Sequence, residues 1–290
     1  MRIAVLGSRG KLGGAVVCEF EPKHDVIAFD HRALDVTDPV AVASAMASAQ
    51  PQVIINCAGY NAVDAAENHP VDALRANAFA VRTLAREATK LGAAIVHYSS
   101  DFVFDGKAAE PYTEEQHPNP QSVYATSKML GEWFASDAPC AYVLRVESLF
   151  GRRPDGTPIE GSVAAILHAL ESGAPVRVFE DRTVSPTYVA DAVRATRELV
   201  ERRAPPGIYH CVCSGHCTWL EFATEAARLM GVEPRLERIT LETARLKAAR
   251  PRYCALSNQK LSAGIAMRSW QEALRAYLRC ESRDSRTSHV

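Results

Sequence analysis

The sequence predicts a doubly wound parallel α/β sheet, on three observations. The first thirty residues read strand, glycine loop, helix, strand; later strands are unbroken apolar runs; and each run is followed by a stretch with helical spacing. Strands buried on both faces look this way, because helices cover a parallel sheet above and below.

Taken in order, Arg2 to Leu6 is a strand, Gly7 to Gly13 a loop, Gly14 to Phe20 a helix, and Val26 to Phe29 a strand ending at Asp30. Pro39 to Ala49 carries alanine and valine at helical spacing, and Val53-Ile54-Ile55 is a buried strand running into Asn56-Cys57-Ala58-Gly59. Asp72 to Leu91 predicts an amphipathic helix, and Ala93 to Tyr98 a strand opening on Ser99-Ser100-Asp101. A helix over Gln121 to Ala135 and a strand over Ala141 to Leu144 complete five strands before residue 150. Residues 1–150 are therefore expected as the doubly wound domain. Past Gly151 the pattern loosens, with helices at Ser162 to Glu171, Trp219 to Met230 and Trp270 to Leu278, and a strand at Val176 to Phe179. Residues 151–280 are expected mainly as a smaller lobe over the carboxyl edge of the sheet, with segments returning to it, and 281–290 as a disordered tail.

With 290 residues, 47% of them hydrophobic, the chain can bury a full core. Lys plus Arg number 33 against 34 Asp plus Glu, which leaves no excess positive charge for a nucleic acid or an anionic membrane. The start lacks the apolar core of a secretory signal and no stretch is long enough to span a bilayer, so a cytoplasmic protein is expected. Eight cysteines at 18, 57, 140, 211, 213, 217, 254 and 280 have no framework spacing, and reduced thiols are expected. The crowded patch from His210 to Cys217 lacks the Cys-x-x-Cys pair of structural zinc sites, so it reads as an alternating strand and no metal is expected.

Gly7, Gly10 and Gly13 lie between a strand and a helix, where glycines let the backbone approach a pyrophosphate at the helix N-terminus. A plain turn is the bland alternative, and the position at residue 7, directly after a strand, favours a dinucleotide. Tyr124 and Lys128 stand four apart on one helix face, so phenol and ammonium can enter one cavity. A free tyrosine titrates near ~10, and a neighbouring cation is expected to lower it towards a working acid/base range. Such a pair can also simply stack on a solvated face. Ser100, at the carboxyl end of a buried strand, can offer a hydroxyl to a substrate oxygen in the crevice of such a sheet.

Together these residues resemble the extended short-chain dehydrogenase/reductases, and within them the dTDP-4-dehydrorhamnose reductase branch. The resemblance covers nearly the whole chain. It rests on the GxxGxxG loop, on 34–38 (LDVTD), on 56–64 (NCAGYNAVD) with Glu67, on 99–106 (SSDFVFDG), and on Tyr124 with Lys128. It implies that Gly7, Gly10, Lys11 and Leu12 hold the cofactor pyrophosphate, that Asp30 and Arg32 meet the adenosine ribose, and that Asp35 and Val36 meet the adenine. Ala58, Gly59, Tyr60 and Asn61 would line the middle of the cofactor, with Tyr124 and Lys128 at its nicotinamide end. Tyr124 would protonate a sugar carbonyl, Lys128 would bind the nicotinamide ribose, Ser100 would orient the carbonyl and Asp101 would contact the sugar.

The implied activity is NAD(P)H-dependent reduction of a 4-keto-6-deoxy sugar on a nucleoside diphosphate, by a monomer or homodimer. An epimerase or dehydratase of the same superfamily, or a non-catalytic relative like the regulatory subunit of methionine adenosyltransferase, is the alternative. Two positions depart from the branch. Ser148 stands where a tryptophan often packs on the sugar, and Ala15 where some members carry a metal-binding glutamate. Asp30 favours NADH because a carboxylate repels a 2′-phosphate, whereas Arg9 and Arg32 favour NADPH. Two arginines against one carboxylate make NADPH the expected preference, with NADH possible as an alternative cofactor.

Overall fold

In the computed structural model, the backbone is described for residues 1–287 and side chains through residue 279. The strands are β1 (Arg2–Leu6), β2 (Asp25–Phe29), β3 (Val53–Asn56), β4 (Ala94–Ser100), β5 (Ala141–Val146), β6 (Leu149–Phe150), β7 (Val176–Phe179), β8 (Thr183–Val184), β9 (Thr187–Tyr188), β10 (Gly207–His210), β11 (Cys217–Thr218) and β12 (Leu236–Ile239). Six of them make one sheet in the order β2-β1-β3-β4-β5-β10, every neighbouring pair parallel.

Helices cover both faces of this sheet. α1 (Gly13–Phe20) is followed by α2 (Pro39–Ala49), the short α3 (Val63–Ala66) and α4 (Pro70–Leu74), then α5 (Ala80–Leu91) and α6 (Val123–Ser136). In the later half come α7 (Ser162–Ser172), α8 (Val189–Glu201), α9 (Trp219–Met230), α10 (Leu241–Ala244), α11 (Gln259–Ser262) and α12 (Trp270–Thr287). Ile3, Val5, Ile55, Val96 and Leu144 pack against Val16 and Phe20 of α1 and Val193 and Leu199 of α8. Their strand neighbours Ala4, Leu6, Ile54 and Ile95 point the other way, onto Val42 and Met46 of α2 and Leu84 and Ala88 of α5. That two-sided burial is why the strands show unbroken apolar runs.

Strand order reverses between β1 and β3. The chain leaves β1 for β2 on one side and returns for β3 on the other, so the loops after β1 and β3 part and open a crevice at the carboxyl edge. A separate core of Phe150, Ile166, Leu170, Trp219, Phe222, Trp270 and Leu274 holds the later elements together, and both tryptophans belong to it as their helical pattern predicts. Among the described residues no helix is long and apolar enough to cross a membrane.

The structure departs from the sequence reading in four places. The helix expected over Asp72 to Leu91 is interrupted by a π-turn at Arg75–Phe79. α8 was not foreseen, although it supplies half of the cover on one sheet face. The segment from Cys211 to His216 is a connection, buried at Cys211 to Cys213 and exposed at Gly215 and His216, rather than an alternating strand, since β10 ends at His210. The last helix continues to Thr287 instead of ending at Leu278, across most of the expected disordered tail 281–290; residues 288–290 lie outside those described.

Candidate active site

The glycine loop is built for close backbone approach. Gly7 has φ 70°, and a Cβ there would lie 2.7 Å from the backbone nitrogen of Ala58. The loop therefore lies backbone to backbone against the end of β3, at the crevice. α1 begins after Leu12 with no side-chain cap bond, so its positive dipole end is presented to an anion, although the Gly14 N–H is engaged by the Gly10 carbonyl at 3.3 Å. These features fit a dinucleotide pyrophosphate. Lys11 turns elsewhere: its ammonium donates to the carbonyl of Glu160 at 2.7 Å, and Arg153 Nη1 donates to the carbonyl of Arg9 at 3.4 Å. The segment after Gly151 thus lies on the glycine loop.

At the end of β2, Asp30 Oδ1 accepts from the N–H groups of Arg32 and Ala33 at 3.0 and 2.9 Å, and Oδ2 pairs with Arg9 Nε at 3.0 Å. The Ala33 N–H, ahead of Arg9 and Arg32, holds this carboxyl below its usual range. Asp35 accepts from the Thr37 N–H and hydroxyl at 2.9 and 2.8 Å, while Val36 packs with Ala58 on the α2 side of the sheet.

The Ala58 to Asn61 loop is shaped by a residue the sequence reading missed. Asn77 Oδ1 accepts from the Tyr60 N–H at 2.8 Å, and its Nδ2 donates to the Tyr60 carbonyl and to Ser127 Oγ, both at 2.9 Å. It sits in the π-turn between α4 and α5, and π-turns recur at functional sites. The available signal was a lone asparagine four residues from each of the apolar Ala73 and Val81, both buried.

β4 delivers Ser100 and Asp101 at its carboxyl end, and α6 brings Tyr124 and Lys128 beside them. The start of α6 is fixed twice: Ser122 Oγ accepts from the Ala125 N–H at 3.2 Å, and Glu67 Oε1 accepts from the Val123 N–H at 2.9 Å. Tyr124 is buried, edge-on to Phe102 with ring centroids 5.5 Å apart. Burial, and then the Asp101 carboxylate, raise its phenol well above the ordinary range, with hydrogen bonding from Ser100 opposing. This corrects the expectation that Lys128 lowers it. The Lys128 ammonium donates instead to the Tyr98 carbonyl at 2.5 Å, and a Cβ built on Gly59 would lie 4.0 Å from Nζ. Burial pushes Lys128 down to about 8, against the opposing carboxylate of Glu132. A neutral phenol beside a serine hydroxyl, out of water, can deliver a proton.

Arg182 is held inside the site rather than in solvent. It lies over the Phe102 ring at 5.4 Å, 3.9 Å from Asp101 Oδ2, with its side chain 11% exposed. In the cysteine patch, Cys211 and Cys213 are free and buried, and burial pushes both thiols up to about 12.

A six-stranded parallel sheet with a glycine loop at its reversal point, and serine, tyrosine and lysine gathered at β4 and α6, place the protein among the extended short-chain dehydrogenase/reductases. Residues 1–282 match the family described as the RmlD substrate binding domain, and the chain belongs to that family. It is similar to a probable dTDP-4,6-dihydroxy-2-methyloxan-3-one 4-ketoreductase of Streptomyces antibioticus, 36% identical over 95% of this chain and 94% of that protein. It is also similar to the dTDP-4-dehydrorhamnose reductase of Streptomyces griseus, 34% identical over 94% of this chain and 91% of that one. Among solved structures, a dTDP-4-dehydrorhamnose reductase of Clostridium acetobutylicum superposes with a TM-score of 0.91, at 33% identity over 97% of this chain and 100% of its own. The Bacillus anthracis enzyme of that name, in complex with NADP, gives 0.89 at 30% identity, over 96% and 98%.

Proposed function

We propose that the protein reduces a nucleotide-linked 4-keto-6-deoxy sugar with NAD(P)H. The observation that carries this reading is the convergence of Ser100, Tyr124 and Lys128 at the carboxyl edge of β4, with the Lys128 ammonium beside Gly59 of the loop after β3. The relatives support it: one is a probable dTDP-4,6-dihydroxy-2-methyloxan-3-one 4-ketoreductase and the other a dTDP-4-dehydrorhamnose reductase.

Gly7, Gly10 and Leu12, with Lys11 through its backbone since its ammonium is engaged by the Glu160 carbonyl, would hold the pyrophosphate of the cofactor, Asp30, Arg32, Asp35 and Val36 its adenosine half, and Ala58 to Asn61 its middle. The bound nicotinamide supplies a hydride to the carbonyl carbon. Tyr124 hands its phenol proton to the carbonyl oxygen, and burial keeps that proton in place until the oxygen becomes basic. Ser100 orients the same oxygen, Asp101 meets a sugar hydroxyl, and Lys128 binds the nicotinamide ribose. Asp30 is already engaged by Arg9 and two backbone N–H groups, so its repulsion of a 2′-phosphate is muted. Arg9 and Arg32 each offer a charge-assisted contact worth ~1.5–3 kcal/mol, which makes NADPH the preferred cofactor and NADH the second.

We assign cofactor binding mainly to residues 1–150 and sugar-nucleotide binding mainly to 151–280, in a cytoplasmic monomer or homodimer that needs no metal. The test is a panel of dTDP-, GDP- and UDP-linked 4-keto sugars with each reduced cofactor. Stoichiometric cofactor oxidation supports the reading; isomerised sugar with the cofactor unchanged points to an epimerase. Co-purification with another enzyme and no turnover on any sugar points to a binding protein.

A further inference from the structure

Behind Ser100 lies a buried group of charges drawn from four separate segments: Asp101 after β4, Glu147 after β5, Arg182 before β8, and Cys254. Asp101, Glu147 and Cys254 present possible ligand atoms within 4.8 Å of one another. A cation is already there, however. Arg182 Nη2 stands 3.9 Å from Asp101 Oδ2 and 3.6 Å from the Cys254 sulfur. One guanidinium thus faces two carboxyl groups, both almost fully buried.

Two oxygens in this group have no hydrogen-bond partner: Asp101 Oδ2 and Glu147 Oε1. Their companions are engaged, since Asp101 Oδ1 accepts from the Ser100 hydroxyl at 2.8 Å and Glu147 Oε2 accepts from the Ser185 N–H at 2.6 Å. A buried acceptor left unpaired costs about 1–3 kcal/mol, and two buried carboxyls this close resist ionising together. One proton held by the pair removes the like-charge repulsion. Ser100 has a single hydroxyl proton, so it can serve Asp101 or a substrate carbonyl, but not both.

We propose that Asp101 and Glu147 share one proton, and that Glu147 is thereby a positioning residue: by neutralising Asp101 it frees the Ser100 hydroxyl for the substrate carbonyl. The inference rests on the reductase reading. An ionised Asp101 grips the hydroxyl in a charge-assisted bond, and a neutral one holds it about half as strongly. Burial first, then the Asp101 charge, push Glu147 well above the carboxylate range, with the Ser185 N–H and Arg182 opposing. Burial raises Asp101 also, against Arg182. The groups facing the pair are Arg182, Tyr124 and the thiols of Cys254 and Cys217, and burial raises the phenol and both thiols, so these stay neutral while the pair titrates. Lys128 is the other group poised to titrate near the site, at about 8.

The test compares the pH dependence of kcat in the wild type, Glu147→Gln and Glu147→Ala, with cofactor binding measured alongside. At neutral pH both Glu147→Ala and Glu147→Gln, which leave Asp101 ionised and gripping the Ser100 hydroxyl, are expected to lower kcat by ~10-fold or more with cofactor affinity unchanged. The fall of kcat on the alkaline side should move to lower pH in Glu147→Gln, because Asp101 then titrates without a neighbouring carboxylate to hold its proton. An unmoved alkaline limb would assign it to Lys128 and overturn the proposal. Infrared spectroscopy reads the proton without any sugar: a protonated-carboxyl C=O band in the wild type at neutral pH, missing in Glu147→Gln. Absence of that band in the wild type overturns the shared proton, whereas its presence in a protein that reduces no sugar overturns only the reductase reading.

Discussion

Lys128 donates to the carbonyl of Tyr98 at 2.5 Å, a bond that ties α6 to the strand whose end carries Ser100. Its ammonium is pushed down to about 8 by burial, so the folded chain holds this proton less tightly than the unfolded chain, where lysine titrates near ~10.4. Between those values the unfolded state binds more protons, and stability rises with pH. Relative to Lys128→Met, the wild type should gain roughly 3 kcal/mol from about pH 8 to ~10.4. Urea titrations at stepped pH measure this, and a stability difference that stays flat through the window contradicts it.

Tyr124→Phe removes the proposed proton donor while leaving the ring that packs edge-on to Phe102. Turnover should fall by ~10²-fold or more with cofactor affinity nearly unchanged. Near-normal turnover would reject the phenol as the acid.

Arg145 and Glu132 form a two-pronged ion pair at 2.7 and 2.9 Å, both side chains almost wholly buried, with the guanidinium 4.9 Å from the centre of the Phe104 ring. Glu132→Ala leaves a buried, unpaired guanidinium and should cost ~3–5 kcal/mol of stability. A loss below ~1 kcal/mol in chemical denaturation would mean that the arginine finds another partner or reaches water.

Arg32→Ala should raise the KM for NADPH and spare that for NADH, because only NADPH carries the 2′-phosphate this side chain is proposed to meet. Equal effects on the two cofactors would place Arg32 elsewhere. A wild type that prefers NADH would mean that Asp30 governs the site in spite of its pairing with Arg9 at 3.0 Å.

The fold was legible wherever local pattern and tertiary role coincide. Gly7 before α1, the apolar run of β3 and the polar ending of β4 are read within a few residues, and each lies where that pattern put it. Asn77 was not legible, because it falls on the buried face of its helix like an ordinary core position, and its partners Tyr60 and Ser127 lie far from it in sequence. Glu147 and Arg182 were missed for another reason. Their environment is made by Asp101, Ser185 and Cys254, tens of residues away, and no period carries such pairings. The phenol of Tyr124 was expected to be lowered by Lys128 four residues on, yet burial dominates and Lys128 turns to Tyr98.

The measurement that bears most directly on the proposed activity is the stoichiometry of cofactor oxidation with a dTDP-linked 4-keto-6-deoxyhexose under single conditions for wild type and Tyr124→Phe. The account predicts one NADPH oxidised per sugar reduced by the wild type, and little by the variant. Sugar converted with no net loss of NADPH, or equal rates in both proteins, would contradict it.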